Sequence, residues 1–579
     1  MNFSIFRRVG RLAAIGAILF GSASCVYINE ELGENLIPTD QKWDVFTPAP
    51  AVLSDIRLEA TDSLSAYNSS RFTFGSINDP KFGTSIKSTS FTLVPIGDSI
   101  SFGENVRIRQ FHFTAALDTV SALYENQKRI IQNVYVSELK APLDTHALYI
   151  GTFMNEEKCA TYLNTDNRIT AGTPVYDGGD SLSFDFSLEY AAKVIEQLDK
   201  EKIDSIGELT AKLPGIFITT DTPTAQGGRI NMFRLGLQTY DGYVSANFAE
   251  LKVTADFEDR KDVDTSFLFL FGPSKVMTGS DTSVPDQFAF NTSNHDTKVN
   301  DFISEWENGT KEELYIEGGA GPKPVITAKE IRSIVIDMLS ESGIANFNEV
   351  VINKATIILP YQMPADYRDM DLYPTVLSPT VKLRSESGGY ITYAGLTDSS
   401  IESEDQGDIN RSTCLYSPDI SHHVQEIIKL DENDADYEKT ISSYDIWMLI
   451  MHDEIQISNS TSSSSTTDLY NSLAYSSYYN NMMYGGYGGY GGYGYGGYGY
   501  GYGGYGYDSY GYGYNNYYNY MMMASMAGSY STGESTARSI DKDRFYHAVL
   551  NGPEYGSADD IERKPRLKIT YSAPKSAEK

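Results

Sequence analysis

Two segments of this chain alternate apolar and polar residues with a period of two, and they share a short sequence. Residues 249–257 read AELKVTADF and residues 565–571 read PRLKITY, so both contain Leu-Lys, then Val or Ile, then Thr. Such alternation is typical of a β-strand with one face buried and the other in water. We interpret each segment as the closing strand of one β-sandwich. The alternative is that two amphipathic strands are alike by chance.

Short β-rich runs separated by turn signals extend this pattern over the chain. Clusters such as Asn78-Asp79-Pro80 and Asn551-Gly552-Pro553 mark the turns. The runs are residues 107–113, 131–137, 267–271, 349–360 and 445–451. The sequence therefore predicts a mainly β fold of two tandem, jelly-roll-like β-sandwich domains with few short helices. We place these domains at residues 44–260 and 264–574, with the charged stretch 258–264 as a short linker.

Two segments carry helical signals. In residues 187–203, Leu188, Ala191, Ile195 and Leu198 recur with helical spacing on one face. Thr327 stands three residues before Glu330, which is the spacing of a capping box at a helix start. Residues 334–336 (IVI) are β-branched, so a strand at that point is the alternative.

A tract of glycine and tyrosine interrupts the second predicted domain. Residues 484–514 consist almost only of these two types, inside a wider polar segment at about 458–535. Because glycine is costly to order and branched aliphatic residues are missing, we predict a long disordered loop. The tract matches G-x-G-x-x-G at Gly494, Gly496 and Gly499, but neither a strand before nor a helix after it is predicted, so we do not interpret it as a dinucleotide site. Self-association, contact with a glycan or neighbouring protein, and a neutral spacer all remain open for the tract.

The N-terminus has the layout of a bacterial export signal. Arg7, Arg8 and Arg11 precede the apolar residues 12–20, and small residues lead to Cys25. The apolar run is shorter than the roughly 20 residues that span a bilayer. We predict a signal peptide at residues 1–24, lipidation of Cys25, and a linker at residues 25–43. Ser22 departs from the usual leucine three residues before the cysteine, which leaves an ordinary secretory peptide as the alternative.

Charge restricts the partners of the chain. The net charge is −31, and this argues against nucleic acid and against an electrostatic grip on anionic lipid. No later run of about 18 apolar residues occurs, so no second membrane segment is expected. Cys159 and Cys414 fall in different predicted domains, and we interpret them as single thiols, with a disulfide as the alternative.

No catalytic or metal-binding constellation stands out in the sequence. His422 and His423 are adjacent and so are poorly placed to share a metal ion, and we interpret them as part of a short amphipathic helix. The stretch 452–454 (HDE) is interpreted as a polar strand end. The stretch 431–436 (DENDAD) lacks the glycine and final glutamate of an EF-hand loop, so we predict a solvated turn, with weak calcium binding as the alternative. We expect no catalytic residues, no metal site and no cofactor.

An ordered set of short motifs resembles a known family. The set consists of residues 31–38 (ELGENLIP), residues 75–83 (GSINDPKFG), Asn294-His295-Asp296, residues 314–321 (LYIEGGAG), residues 352–355 (INKA) and residues 565–571 (PRLKITY). It resembles the Bacteroidota lipoproteins grouped as domain-of-unknown-function family 4270, over residues 25 to 574. This resemblance implies an exported lipoprotein and implies no activity. The glycine-tyrosine tract departs from the family pattern.

These observations together give a functional expectation. We expect a lipid-anchored protein of the outer membrane that faces the cell exterior and is not an enzyme. It would act as a partner-binding or scaffold subunit of a cell-envelope assembly, with a protein partner in that membrane. The alternative is a surface protein that binds glycan. A hydrolase is the remote alternative, because paired carboxylates cannot be recognised from spacing alone.

Overall fold

The structure is a computed structural model. It describes residues 43–574 with gaps, of which the longest are 119–129, 143–162, 273–288, 399–406 and 458–533. The predicted signal peptide, the lipidation site Cys25, Cys159 and the glycine-tyrosine tract lie outside the described residues. No helix among the described residues is long and apolar enough to cross a membrane.

The described chain is mainly β, as predicted. The strands up to residue 234 are β1 Trp43–Phe46, β2 Ala51–Val52, β3 Ile56–Ala60, β4 Tyr67–Asn68, β5 Arg71–Asp79, β6 Gly83–Phe91, β7 Leu93–Pro95, β8 Glu104–Ala116, β9 Gln132–Asn133, β10 Tyr135–Glu138, β11 Val175–Tyr176, β12 Ser181–Asp185, β13 Ile216–Thr219 and β14 Gly227–Arg234. The later strands are β15 Gln238–Tyr240, β16 Tyr243–Ala246, β17 Phe248–Phe257, β18 Arg260–Phe271, β19 Ala289–His295, β20 Glu313–Glu317, β21 Pro322–Ile326, β22 Val351–Pro360, β23 Val376–Arg384, β24 Ile391–Gly395, β25 Leu415–Tyr416, β26 Ile446–Ile457, β27 Glu534–Ile540, β28 His547–Asn551 and β29 Arg566–Pro574.

Short helices connect some of the strands. The α-helices are α1 Leu188–Leu198, α2 Ile206–Lys212, α3 Lys298–Asn308, α4 Ala328–Glu341, α5 Ser421–Ile428 and α6 Tyr437–Ser442, and 3-10 turns occur at Phe347–Glu349, Tyr367–Leu372 and Ile561–Arg563. The capping prediction at Thr327 is confirmed, because its side-chain oxygen accepts a hydrogen bond from the Glu330 backbone N–H at the start of α4. Residues 334–336 are therefore helical. The helix predicted at 187–203 exists but ends at Leu198.

The first β-unit is a sandwich with a phenylalanine-rich core. One sheet has the order β10-β13-β6-β19-β4, with β5 also paired with β6 and β14 paired with β5, and the other has the order β12-β8-β17-β18-β7. Their inner faces enclose one hydrophobic cluster. Phe113 lies at its centre, with its ring centroid 4.5 Å from that of Phe184 and 4.7 Å from that of Phe271. Stacked rings of this kind add to the gain from area burial alone.

The second β-unit packs two sheets and helices around an aliphatic core. One sheet is β1-β29-β22-β25 with β2 beside β29, and the other is β24-β23-β26-β21-β3 with β27 beside β26. A two-stranded sheet of β20 and β28 and the helices α4 and α5 supply further core residues. Ile357, Ile569 and Ile446 are among the fully buried members of this cluster. The sheet of β1, β29, β22 and β25, together with β2, is called the terminal sheet below.

The strand pairing corrects the predicted domain boundaries. Residues 43–60 were placed in the linker and the first domain, yet β1 and β2 pair with β29, and β3 pairs with β21, so they belong to the second β-unit. The linker predicted at 258–264 is wrong, because Phe257 of β17 pairs with Arg260 of β18 in a hairpin of the first unit. Strand β19 also belongs to that unit, through β6. The segment 249–257 is a strand but does not close its sandwich. These pairings join distant parts of the chain, so alternation within one segment does not reveal them.

The predicted insertion starts and ends in one hairpin. Strands β26 and β27 pair from Met451 with Ile540 to Ile457 with Glu534. The glycine-tyrosine tract joins the far ends of these two strands. The strand predicted at 445–451 thus continues to Ile457, and the stretch 452–454 lies within it rather than after it.

Candidate functional site

Six ionisable side chains form a buried cluster between the two β-units. We call them the ionic cluster: Lys87, Glu317, Lys323, Asp541, Asp543 and Arg544. None of the six is more than 8% exposed. Lys87 comes from β6 of the first unit, whereas the other five come from β20, β21 and the segment between β27 and β28 of the second unit. The cluster contains three basic and three acidic groups, which meets the requirement that buried charges be paired.

Lys323 is held by oxygen atoms on three sides. Its Nζ donates to Thr61 Oγ1 at 3.0 Å, to the Gly319 carbonyl at 3.2 Å and to the Gly321 carbonyl at 3.0 Å. Burial lowers the pKa of Lys323 to about 7, the Glu317 carboxylate opposes this effect and the Lys87 charge adds to it. A lysine in this position titrates near neutral pH, which an exposed lysine does not.

Glu317 is a carboxylate whose charge acts on both buried lysines. It is 1% exposed, and its Oε1 lies 3.1 Å from His295 Nδ1 at the end of β19. Its Oε2 forms no hydrogen bond among the described residues. The carboxylate packs against Gly321, where an added Cβ would lie 2.5 Å from Oε2. Glycine at this position therefore makes room for the charge.

Lys87 approaches the cluster from the opposite unit. Its Nζ donates to the Lys542 carbonyl at 3.5 Å and lies against the Cα of Gly319, which adopts a positive φ of 61°. Burial lowers the pKa of Lys87, and the charges of Asp543 and Glu317 oppose that shift. An alanine at the glycine position would clash with the ammonium group and would be strained at this φ.

The segment between β27 and β28 contributes the other pairs. Arg544 Nη1 donates to Asp541 Oδ2 at 2.9 Å, and the Arg544 backbone N–H donates to Asp541 Oδ1 at 3.1 Å. Burial alone would raise the pKa of Asp541, but the charges of His452 and Arg544 hold it below its usual range. Asp543 accepts hydrogen bonds from Asn68 and, at 3.1 Å, from Asn291 of the first unit. These bonds tie the second unit to β4 and β19.

A second ion pair lies on the same side of the junction. Asp79, in the hairpin of β5 and β6, lies 2.9 Å from His547 Nδ1 through Oδ2 and accepts from the backbone N–H of Lys81 and Phe82 through Oδ1, both at 2.8 Å. Burial opposes ionisation of Asp79, but His547 and these two N–H groups lower its pKa overall. The hairpin of the first unit is thereby fixed to β28 of the second.

The ionic cluster has the chemistry of a structural clamp. Arg544 is paired with Asp541, the two lysines donate to backbone carbonyls, and all six groups are buried away from a ligand in solution. Three of the motifs quoted above meet here: residues 75–83 form the β5–β6 hairpin, His295 ends β19, and Gly319 and Gly321 lie between β20 and β21. What these motifs share in the structure is therefore the junction between the two units.

The other residues that the sequence analysis singled out lie outside the ionic cluster. His422 and His423 lie in α5, as predicted, and His423 is buried with its Nε2 2.8 Å from the Tyr444 carbonyl oxygen. Burial lowers the pKa of His423 to about 4. The stretch 431–436 is an exposed turn, also as predicted. Among the described residues, no group of His, Cys, Asp and Glu side chains could hold a metal ion.

An open cleft lies on the second unit. It has a volume of about 460 Å³ and combines polar and apolar walls. Its lining residues are Pro360, Tyr361, Gln362, Met363, Thr413, Cys414, Asn551, Tyr555, Glu562 and Arg563. Arg563 donates to the Tyr555 hydroxyl at 2.7 Å and stacks over its ring, 4.8 Å from the centroid. Cys414 forms no disulfide with a described residue, and Cys159 lies outside the described part of the chain.

Neither the ionic cluster nor the cleft was predicted from the sequence. Lys87 lies in the polar run GTSIKSTSF and Lys323 in PKPVI, where each resembles an exposed strand lysine. The run 541–547 (DKDRFYH) resembles a solvated turn. The one available signal was the glycine-rich stretch 318–321, since consecutive glycines indicate close approach of other groups to the backbone.

Comparison of the chain with protein-family models, with curated proteins and with solved structures found no match in any of the three. The resemblance to the lipoprotein family therefore stays a prediction that rests on the motifs themselves.

Proposed function

We propose that this protein is an exported lipoprotein, anchored through Cys25 in the outer membrane and facing the cell exterior, that binds a protein partner without catalysing a reaction. The first described strand supports a short tether. Trp43 of β1 lies 18 positions after Cys25 and is already paired with β29. A chain of that length spans at most about 65 Å when fully extended. The folded units would therefore stay close to the bilayer.

The surface around the cleft is the part of the second unit that we assign to the partner. Exposed Met363 lines the cleft, and exposed Ile561 adjoins the lining residue Glu562. Tyr555 and Arg563 add the residue types that are enriched where protein interfaces concentrate their binding energy. This combination of apolar rim and tyrosine-arginine pair is the observation on which the partner-binding proposal rests.

Affinity capture of the full chain from detergent-solubilised outer membrane tests the proposal. We expect the wild type to recover a specific envelope protein and the Met363→Asp, Tyr555→Ala double variant to lose it. Leu188→Asp is the matched control, because Leu188 is an exposed apolar residue of the first unit. Recovery of the protein alone in every detergent, or equal capture by the double variant, would contradict the assignment. Protease shaving of intact cells tests the outward orientation.

Glycan binding is the second candidate, and the same cleft favours it. A half-open cleft with a tyrosine ring, an arginine and the polar side chains of Gln362 and Thr413 suits a polyhydroxylated ligand. Calorimetric titration of the full chain with oligosaccharides should then show saturable heat that Tyr555→Ala abolishes. Absence of heat with every saccharide removes this candidate and leaves the protein partner.

A further inference from the structure

Three side chains on the first unit form a continuous hydrogen-bond chain. Ser183 Oγ lies 2.9 Å from His112 Nε2, and His112 Nδ1 lies 2.7 Å from Asp185 Oδ1. All three side chains are accessible, since Ser183 is exposed and the side chains of His112 and Asp185 are 32% and 44% exposed. A hydroxyl, an imidazole and a carboxylate in this order are the arrangement that activates a serine nucleophile.

Strand register brings the three side chains together on β8 and β12. Asp185 pairs directly with His112, and Ser183 stands two positions earlier in β12, so all three lie on one face of the sheet. The alternate residues Phe113 and Phe184 are buried in the core of the first unit. The hydrogen-bond chain therefore lies on the opposite, outer face, and two paired strands rather than loops set its distances.

The partners of His112 define its tautomer. A carboxylate can only accept, so the bond to Asp185 requires the proton on Nδ1 and leaves Nε2 as the acceptor for the Ser183 hydroxyl. Gln110 Nε2 also donates to Asp185 Oδ1, at 2.9 Å, and holds that carboxylate in place. Glu250 of β17 pairs with His112 from the other side and forms an ion pair within its own strand. His112 is thus oriented to take the hydroxyl proton.

A backbone donor lies beside the hydroxyl. The Phe186 N–H donates to the Phe111 carbonyl at 2.8 Å, so every second N–H of β12 points to β8 and that of Ser183 points the other way. Strand β12 is an edge of its sheet, and the Ser183 N–H forms no hydrogen bond with a described residue. An N–H group of this kind can bind the oxyanion that forms in acyl transfer.

We propose that Ser183 is a covalent modification site that takes up an acyl group from an activated ester or thioester. Oγ attacks the carbonyl carbon while His112 Nε2 accepts the hydroxyl proton. The Oγ–acyl bond forms, the bond from the carbonyl carbon to the leaving oxygen or sulfur breaks with its electron pair, and the imidazolium gives the proton to the leaving group. Asp185 is a positioning residue that acts through His112.

This transfer modifies the protein itself and requires no turnover. Its residues all lie in the first unit, so the inference depends neither on the anchor nor on the cleft of the second unit.

Incubation of the purified full-length protein with p-nitrophenyl acetate tests the proposal. We expect peptide mass spectrometry to find acetylated Ser183, and Ser183→Ala to release p-nitrophenolate more slowly than the wild type. His112→Ala should slow the acetylation of Ser183 at least about 100-fold, the contribution of a positioned base. Ser181→Ala is the matched control, because Ser181 is exposed on the same face of β12, and it should react like the wild type. Acetylation of lysines alone, equal acetylation of Ser181 and Ser183, or an unchanged rate in His112→Ala would overturn the proposal.

The positioning role of Asp185 has a readout of its own. Asp185→Asn should slow the acetylation of Ser183, and Asp185→Glu should restore part of the rate. Both variants should keep the urea denaturation curve of the wild type, because the substitutions are on the surface. Equal rates in the two variants would contradict a role for the carboxylate.

Discussion

Lysines lie in opposite environments in two regions of this molecule. Lys87 and Lys323 of the ionic cluster are buried, and carbonyl oxygens and carboxylates surround them. Lys354 of β22 and Lys568 of β29 lie exposed on the terminal sheet. The first pair loses its hydration on folding, so its partners decide whether the fold is stable. The second pair stays exposed on folding, so its removal should change the free energy of unfolding little. The environment of a lysine, rather than its presence, indicates its role.

The largest effect is expected from breaking the ionic cluster at Glu317. Glu317→Gln removes the carboxylate that lies among His295, Lys87 and Lys323 and leaves buried cations without it. We expect a loss of about 3–5 kcal/mol in the free energy of unfolding, measured by urea denaturation. Glu312→Gln, an exposed control next to β20, should change it by less than about 0.5 kcal/mol. Similar values for both variants would mean that the cluster does not hold the units together.

The ion pair of Asp79 and His547 should contribute less. Asp79→Asn keeps one acceptor for the hairpin N–H groups but removes the charge beside His547, and we expect a loss of about 2 kcal/mol. Because the pKa of Asp79 is lowered in the folded protein, its contribution is present above pH 3.8 and is lost as the pH falls below that value. Asp366→Asn, in an exposed turn, is the control. A wild type and an Asp79→Asn variant with the same acid denaturation curve would count against the pair.

Lys323 should make the free energy of unfolding rise as the pH increases above about 7. The unfolded chain keeps this proton up to a pH of about 10.5, whereas the folded protein releases it above about 7. Between these values the unfolded state binds more protons, so the free energy of unfolding rises with pH, by up to about 1.4 kcal/mol per unit. Lys323→Met should flatten that rise in urea denaturation from pH 7 to 10. An unchanged slope would show that Lys323 titrates as an exposed lysine does.

Substitution of the exposed lysines is expected to have the smallest effect on stability. Lys354→Ala with Lys568→Ala should shift the free energy of unfolding by less than about 0.5 kcal/mol per site, because both side chains are exposed. A large loss of stability would assign these lysines to the fold and remove the contrast with the ionic cluster.

Local signals predicted much of the secondary structure, and non-local pairing accounts for most of the errors. The cap at Thr327 and the strand at residues 565–571 depend on neighbours in sequence, and both exist. Within α1, however, Leu188 is exposed while Tyr190 and Val194 are buried, so the inward face of the helix is rotated from the one that the apolar spacing predicts.

The domain boundaries and the ionic cluster required knowledge of contacts between distant segments. Strand β1 pairs with β29, more than 500 positions later, and nothing in its own four residues indicates this partner. Lys87 is buried because the second unit covers it at the β20–β21 turn and the β27–β28 segment, although its own strand is a polar run that resembles an exposed strand. Cys25 shows the opposite case, in which a local pattern gives a specific chemical prediction about residues that the structure does not describe.

Mass spectrometry of the mature N-terminus, on protein isolated from membranes, tests the proposed anchor most directly. We expect Cys25 to be the first residue and to carry acyl chains, and Cys25→Ala to release the protein from the membrane fraction. An unmodified Cys25 behind a retained leader, or a mature chain that begins after Cys25, would contradict it.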